Sequence, residues 1–225
     1  MPVLFLACLT RRTHGLFYVM AVFRDRSAWR HYVAVGDSLT AGRGDFAADG
    51  RPIGWAQRLG NILTERTGID CQVTNLAVDG SNVRTVLTRQ VPEVAALAPD
   101  LISVTVGMND IRLPVFSPED FSTDLDLVLG RLAATGATVM TCTLPDIASV
   151  VELPAEYVAV AHQRLRQAGD IIRDSATKHA VLCLDVWAMS ELANSPELFT
   201  ADRLHPNTSG HRLLATAFAD LLLPG

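Results

Sequence analysis

The sequence is poor in cysteine and has no long hydrophobic stretch. None of its apolar runs reaches the roughly 18 residues that a membrane-spanning helix needs, so we expect no stable membrane insertion. The few cysteines form no C-x-x-C pair, which disfavours both a zinc site and a disulfide framework. We interpret them as buried thiols in a reducing compartment; they are Cys8, Cys71, Cys142 and Cys183.

Several nucleotide-binding and hydrolase motifs are absent as well. No G-x-G-x-x-G loop follows the first apolar run and there is no Walker lysine, which argues against dinucleotide and nucleoside triphosphate binding. The G-x-S-x-G elbow of α/β-hydrolases fails at Thr40, where it requires glycine. A formal net charge of −5 disfavours a nucleic-acid partner. What remains is a chain of 225 residues, 49% hydrophobic, which suits one globular domain.

The first 30 residues differ from the rest in charge. They carry five arginines and one aspartate, whereas the remainder of the chain is strongly acidic. The apolar run from Leu16 to Phe23 is short for a secretory signal, and Arg24 follows it in place of a small-residue cleavage site. We expect residues 1–30 to be a disordered or non-native extension before a domain over residues 31–225. The expected location is the cytoplasm, with export as the alternative.

Beyond residue 30, short apolar runs alternate with longer helical patterns. The runs predict strands at 32–35, 71–76, 101–106, 137–143 and 181–186. Helices are predicted between and after them, and the helix over 83–97 is expected to bend or restart at Pro92. Strands alternating with helices predict an α/β fold, with a parallel sheet covered by helices on both faces.

Polar or glycine-bearing segments follow the predicted strands. Ser38 comes after the first strand, Asp79-Gly80 after the second and Gly107-Met108-Asn109-Asp110 after the third. Asp202 and His205 lie in the loop that follows the fifth strand. Because ligands bind beyond the carboxyl ends of parallel strands, we expect these segments to converge at one edge of the sheet.

The residue types in these segments suit acyl transfer. His205 can activate the Ser38 hydroxyl as a base, and Asp202, three residues earlier, can orient the imidazole. Gly80 and Asn109 can supply hydrogen-bond donors to an oxyanion. Each residue also has a plain structural interpretation: a capping serine, a surface histidine, or tight turns. The remaining histidines are expected to be non-catalytic; they are His14, His31, His162, His179 and His211.

Taken together, the four segments resemble those of the SGNH hydrolases, also called the GDSL esterase/lipase family, from residue 31 to about 222. The resemblance implies a flavodoxin-like three-layer α/β/α sandwich with a five-stranded sheet, and a serine esterase that needs neither cofactor nor metal. It implies a Ser38–His205–Asp202 triad and oxyanion donors at Ser38, Gly80 and Asn109. The matching segments are Gly36-Asp37-Ser38-Leu39, Asn75-Leu76-Ala77-Val78-Asp79-Gly80, Gly107-Met108-Asn109-Asp110 and Asp202-Arg203-Leu204-His205-Pro206.

Several alternatives stay open at this point. The same residues could serve an acyltransferase, or the fold could be a non-catalytic binding module. Four carboxylates near the predicted edge could instead hold magnesium in a phosphoesterase; they are Asp37, Asp79, Asp110 and Asp202. The substrate is expected to be a small-molecule ester, as in a lysophospholipase or a carbohydrate deacetylase. Loops 43–52, 111–116 and 144–154 are expected to line a pocket for a short or medium acyl chain. The sequence makes no prediction about oligomeric state.

Overall fold

The structure is a computed structural model that describes residues 29–149, 151, 153–189 and 195–223. The extension expected at residues 1–30 therefore lies outside the described residues, apart from its last two positions. Five strands form one parallel sheet in the order β2-β1-β3-β4-β5. They are β1 (His31–Gly36), β2 (Gln72–Asn75), β3 (Leu101–Thr105), β4 (Thr138–Cys142) and β5 (Leu182–Leu184). This strand order is the flavodoxin-like one.

The helices cover both faces of the sheet. They are α1 (Ser38–Ala41), α2 (Gly54–Thr67), α3 (Val83–Thr85), α4 (Val91–Leu97), α5 (Met108–Ile111), α6 (Pro118–Ala133), α7 (Ala155–Lys178) and α8 (Thr208–Leu222). One buried cluster unites α3, α4, α6 and α7 with one sheet face. The other cluster joins α2 and α8 to the opposite face, where Trp55 stacks on Phe218 with ring centroids 4.6 Å apart. The predicted three-layer α/β/α sandwich is confirmed.

The helix over 83–97 restarts where the sequence indicated. A π-helical turn, Val86–Gln90, separates α3 from α4, and Pro92 lies in the first turn of α4. Proline has no N–H to donate and cannot continue a regular helix, so the hydrogen-bond register changes just before it.

Local chemistry explains the other helix ends. Ser117 caps α6 by accepting a hydrogen bond from the Asp120 N–H, with Pro118 next in sequence and acidic residues in the first turn. Strand β5 is shorter than the predicted 181–186 and only half-buried, because it is the last strand of the sheet.

Two of the three described cysteines are buried, as the apolar pattern predicted, and the third is half-buried. Cys142 is buried in β4 and Cys71 is buried just before β2, while Cys183 in β5 is half-buried. All three are free thiols, and Cys8 lies outside the described residues. Across residues 29–149, 151, 153–189 and 195–223, no helix is both long and apolar enough to cross a membrane.

Candidate active site

Ser38 lies at a sharp exit from the first strand. At Gly36 the backbone φ angle is 150°, and a Cβ added there would lie 2.3 Å from the Thr105 carbonyl oxygen. Only glycine therefore lets β1 pass so close to the end of β3. Asp37 follows and caps α1, because its carboxylate accepts a hydrogen bond from the Leu39 N–H at 3.0 Å. This turn sets Ser38 as the first residue of α1, at the carboxyl edge of the sheet.

Two segments that are far apart in the sequence meet at this serine. Ser38 Oγ lies 3.0 Å from His205 Nε2, and His205 Nδ1 lies 2.7 Å from Asp202 Oδ2. The carboxylate can only accept, so Nδ1 carries a proton and Nε2 of the neutral ring is free to accept one from the serine hydroxyl. The structure thus brings together Ser38, His205 and Asp202.

Asp202 is held ionised by its surroundings. Partial burial raises the pKa of its carboxyl, but the hydrogen bonds that it accepts outweigh burial and hold the pKa well below its usual range. The donors are the N–H and ring of His205, the Thr200 hydroxyl and the Leu204 N–H. A permanently charged carboxylate at this position stabilises a positively charged imidazole beside it.

The two segments expected to hold an oxyanion are hydrogen-bonded to each other. Asn109 Nδ2 donates to the Ser81 carbonyl at 3.0 Å, and the Asp110 carboxylate accepts from the Val83 N–H at 3.1 Å. Because an amide nitrogen has two protons, Asn109 keeps one N–H for another acceptor. Gly80 is exposed in the turn before Ser81, and its N–H has no acceptor among the described residues. Ser38 and Asn109 line one cavity, whose lining does not include Gly80.

Sequence reasoning missed Gln90, which links the Ser38 and Gly80 segments. Its side chain is buried, and its Oε1 accepts from the Gly36 N–H at 2.8 Å while its Nε2 donates to the Gly36 carbonyl at 2.9 Å. The same Nε2 lies 3.2 Å from the Ser81 hydroxyl. The available signal was a glutamine at a core-facing position of an otherwise apolar helix face.

His211 lies outside the Ser38–His205 contact, as expected, and it is fully buried. Its Nδ1 accepts from the Trp55 N–H at 3.1 Å and its Nε2 donates to the Arg43 carbonyl at 2.9 Å. Burial lowers the pKa of this imidazole, which keeps the ring neutral as these two bonds require. His211 therefore holds the loop that follows α1.

The other described histidines also lie away from Ser38. His31 pairs with Thr74, His162 with Asp146 and His179 with Asp126, and His14 lies outside the described residues.

The four carboxylates of the magnesium alternative have separate protein partners. Asp37 caps α1, Asp110 binds the Val83 N–H and Asp202 binds His205. The exposed Asp79 lies 3.5 Å from Arg43. Among the described residues no group of three or more histidine, cysteine or acidic side chains is arranged to hold a metal ion. Each of these carboxylates thus has a defined role in the protein scaffold.

Asp37 gives a testable pH dependence of stability. Burial raises the pKa of its carboxyl to about 7, the Leu39 N–H opposes the shift, and the nearby Asp110 charge reinforces it. In the unfolded chain an aspartate loses its proton near pH ~4. The folded protein therefore binds the extra proton between about pH 4 and 7, and stability falls as the pH rises through that window.

We expect Asp37→Asn to weaken this dependence, because asparagine still accepts from the Leu39 N–H but cannot ionise. Urea unfolding at pH values near 4.5 and 7.5 should show a smaller loss of unfolding free energy in the variant, by up to about 3 kcal/mol. Glu65→Gln, on the exposed face of α2, should behave as the wild type does. Identical pH dependence in wild type and Asp37→Asn would contradict the assignment.

The loops expected to surround the site do so in part. Arg43, Ile111 and Arg112 border it, as do residues from Leu144 to Leu153. Phe46 and the rest of the segment to Pro52 do not line it, and Val115 and Phe116 line a separate hollow above α6. The prediction of pocket-lining loops is therefore correct for the first residues of loops 43–52 and 111–116 and for most of loop 144–154.

The chain matches a family profile and two characterised relatives over most of its length. The profile of the GDSL-like lipase/acylhydrolase family matches residues 34–213. The chain is 26% identical over 200 residues to an acetylxylan esterase of Geobacillus stearothermophilus, covering 82% of this chain and 90% of that protein. It is 28% identical over 197 residues to a GDSL-like esterase of Mycobacterium tuberculosis, covering 82% of this chain and 59% of that protein.

Solved structures share the fold. An α/β hydrolase from the metagenome of Lake Arreo superposes with a TM-score of 0.69 at 26% identity, covering 86% of this chain and 94% of that one. Axe2, an acetylxylan esterase of Geobacillus stearothermophilus, superposes with a TM-score of 0.70 at 22% identity, covering 87% and 95% of the two chains. At that identity the second likeness shows the fold alone.

Proposed function

The chain belongs to the GDSL-like lipase/acylhydrolase family and hydrolyses carboxylic esters, and we propose that Ser38, His205 and Asp202 are the residues that do so. The observation that carries this proposal is the continuous contact from the Ser38 hydroxyl through the His205 ring to the Asp202 carboxylate, with separations of 3.0 and 2.7 Å. The substrate is a small-molecule ester.

The first half of the reaction forms an acyl-enzyme. His205 Nε2 takes the proton of Ser38 Oγ as that oxygen attacks the ester carbonyl, and Asp202 stabilises the imidazolium that results. The C–O bond to the alcohol then breaks, and His205 returns the proton to the departing oxygen. In the second half His205 activates a water molecule, which releases the acid from Ser38.

Three donors are available for the negative charge that develops on the carbonyl oxygen. We assign this role to the N–H groups of Ser38 and Gly80 and to the second N–H of the Asn109 amide. Asn109 is held by the Ser81 carbonyl and its neighbour Asp110 by the Val83 N–H. Donors fixed in advance need little reorganisation when the charge forms, which is why such sites contribute strongly to catalysis.

We expect Asn109→Ala to lower kcat by about 10² to 10³, the usual effect of removing one oxyanion donor, with KM little changed. Steady-state hydrolysis of a chromogenic ester measures it. Asn61→Ala, exposed on α2, serves as the matched control and should retain full activity. A loss below about fivefold in Asn109→Ala would remove this residue from the oxyanion site.

Covalent labelling tests the proposal directly. A fluorophosphonate reacts rapidly only with an activated serine, so one equivalent should attach to Ser38, as located by peptide mass spectrometry. Ser38→Ala should take up no label, while Ser209→Ala, altered on the exposed surface of α8, should label like the wild type. Absence of labelling would leave a non-catalytic binding module, and acyl transfer to an added alcohol in preference to water would identify an acyltransferase.

Two further expectations remain part of the proposal. We infer that residues 31–225 act as one catalytic domain, and that the protein works in the cytoplasm. The free thiols of Cys71, Cys142 and Cys183 support that location. Fractionation of cells, with sequencing of the native amino terminus, tests it. The chemistry is the same for an acetylated sugar and for a fatty ester, so the walls around Ser38 decide between these substrates.

A further inference from the structure

Two hollows meet at His205. The first, of about 70 Å³, lies between Ser38, Asn109 and the ends of β3 and β4. The second is an open groove of about 590 Å³ on the other side of the imidazole, bordered by Asp202, α7 and the loop before α7. Arg112, Leu204 and His205 line both. An ester held at Ser38 therefore has one small and one large space for its two ends.

The small cavity limits one end of the substrate. At about 70 Å³ it is much smaller than the groove of about 590 Å³. An acetyl or other short group suits this space better than a long chain or a sugar ring. We therefore place the larger part of the ester in the groove.

The groove is mostly apolar, and several of its polar side chains are already engaged. Its walls include Ile147, Val151, Leu153, Tyr157 and Val160. The Arg164 guanidinium also borders it, but it donates to the carbonyls of residues 111, 113 and 114. Asp202 is occupied by His205, and Arg43 lies 3.5 Å from Asp79. The exposed Arg112 guanidinium and the Tyr157 hydroxyl remain for a ligand.

The apolar surface is exposed where a substrate would cover it. Tyr157 is 59% exposed and Val160 is 43% exposed in the wall of the groove. The wall residues Ile147, Val151 and Leu153 extend this apolar surface. Apolar exposure of this kind beside a cavity marks a binding surface.

We propose that the groove binds an apolar chain or ring of the ester, so that this enzyme acts on esters with one short and one long apolar end and not on acetylated saccharides. The inference rests on the proposed function, because it assigns the substrate class of the same site. A sugar laid against these walls would turn most of its hydroxyl groups toward aliphatic side chains that offer no hydrogen bond, which is unfavourable, whereas an apolar chain loses nothing polar.

Two substrate series test the proposal and identify which end of the ester enters the groove. One series lengthens the acyl chain of methyl esters from two to eight carbons; the other lengthens the alcohol of acetates from ethyl to octyl, all below their micelle concentrations. Full burial of a methylene is equivalent to about a fourfold gain, so an open groove should give about a twofold gain in kcat/KM per methylene in one series. Flat responses in both series, or faster hydrolysis of acetylated xylooligosaccharides than of the octyl-length esters, would overturn it.

A pair of variants tests whether the groove causes the preference for longer esters. Val160 and Leu127 are both 43% exposed in long helices, but only Val160 lines the groove. Val160→Asn should reduce the ratio of kcat/KM for the longest ester over the shortest by about threefold to tenfold, since it places an amide against the chain. Leu127→Asn should leave that ratio unchanged. An unchanged ratio in Val160→Asn, or an equal change in both variants, would contradict the proposal.

The two proposals fail in different ways. If Ser38 takes the fluorophosphonate label and short esters are hydrolysed, but chain length has no effect, only the substrate class is wrong. If Ser38 takes no label and no ester in either series is hydrolysed, the catalytic assignment is wrong as well.

Discussion

Replacement of Ser38 by alanine should lower kcat for ester hydrolysis by about 10⁶. Without the hydroxyl no acyl-enzyme can form, and only the oxyanion donors and substrate binding remain to accelerate attack by water. The size of the loss is taken from subtilisin, in which removal of the serine or the histidine costs about that much. Steady-state rates with a p-nitrophenyl ester, corrected for spontaneous hydrolysis, measure it.

The partner of Ser38 supplies the control for this prediction. His205→Ala should cause a loss of similar size, and the double variant should be no worse than either single one, because the two side chains act as one unit. Ser209→Ala should keep wild-type activity. Near-full esterase activity in Ser38→Ala would disprove the mechanism, and additive losses in the double variant would show that the 3.0 Å contact is not the reacting one.

Replacement of Asp202 by asparagine should lower kcat by about 10⁴. The carboxylate fixes a proton on His205 Nδ1, whereas an asparagine amide can donate to that nitrogen and favour the other tautomer. A proton on Nε2 would then face Ser38, and the ring could no longer accept the hydroxyl proton. The loss should be smaller than for His205→Ala, because Asp202 orients the base and does not itself transfer the proton.

The test of Asp202 needs a second measurement, because its carboxylate also binds the Thr200 hydroxyl and the Leu204 N–H. Thermal unfolding should show that Asp202→Asn remains folded under the assay conditions. Asp174→Asn, exposed on α7, controls for the loss of a surface charge. A folded Asp202→Asn variant with more than about a tenth of wild-type kcat would contradict the role of this carboxylate.

Much of the fold could be predicted because its signals are local. Buried parallel strands such as β1 and β3 are nearly continuous apolar runs, and Ser117-Pro118 marks the start of α6. The buried Ser103 in β3 did not break that pattern, since its hydroxyl pairs with the Tyr32 hydroxyl at 2.6 Å. The length of β5 could not be predicted, because its last residues lose their pairing at the edge of the sheet, which no local pattern records.

The candidate site was predictable only as a set of segments. The rule that chemistry follows strand ends placed Ser38, Asn109 and His205 on one edge, and their catalytic roles stay predictions until the variants are made. Sequence spacing could not predict that Gln90 reaches across to Gly36, since that contact joins residues 54 positions apart. The apolar groove was predicted only in part: the loop over 144–154 was expected to line the pocket, but the contribution of Tyr157 and Val160 on α7 depends on packing that sequence spacing does not record.

The separation of 167 positions between Ser38 and His205 has a consequence for synthesis of the protein. A ribosome makes Ser38 early, directly after the first strand, but His205 emerges just before α8, which packs against α2. A nascent or truncated chain that stops before α8 would thus contain every oxyanion donor, but the loop that carries His205 would lack the helix that follows it. Ester turnover in such an enzyme reports that α8 has been made and has packed in place.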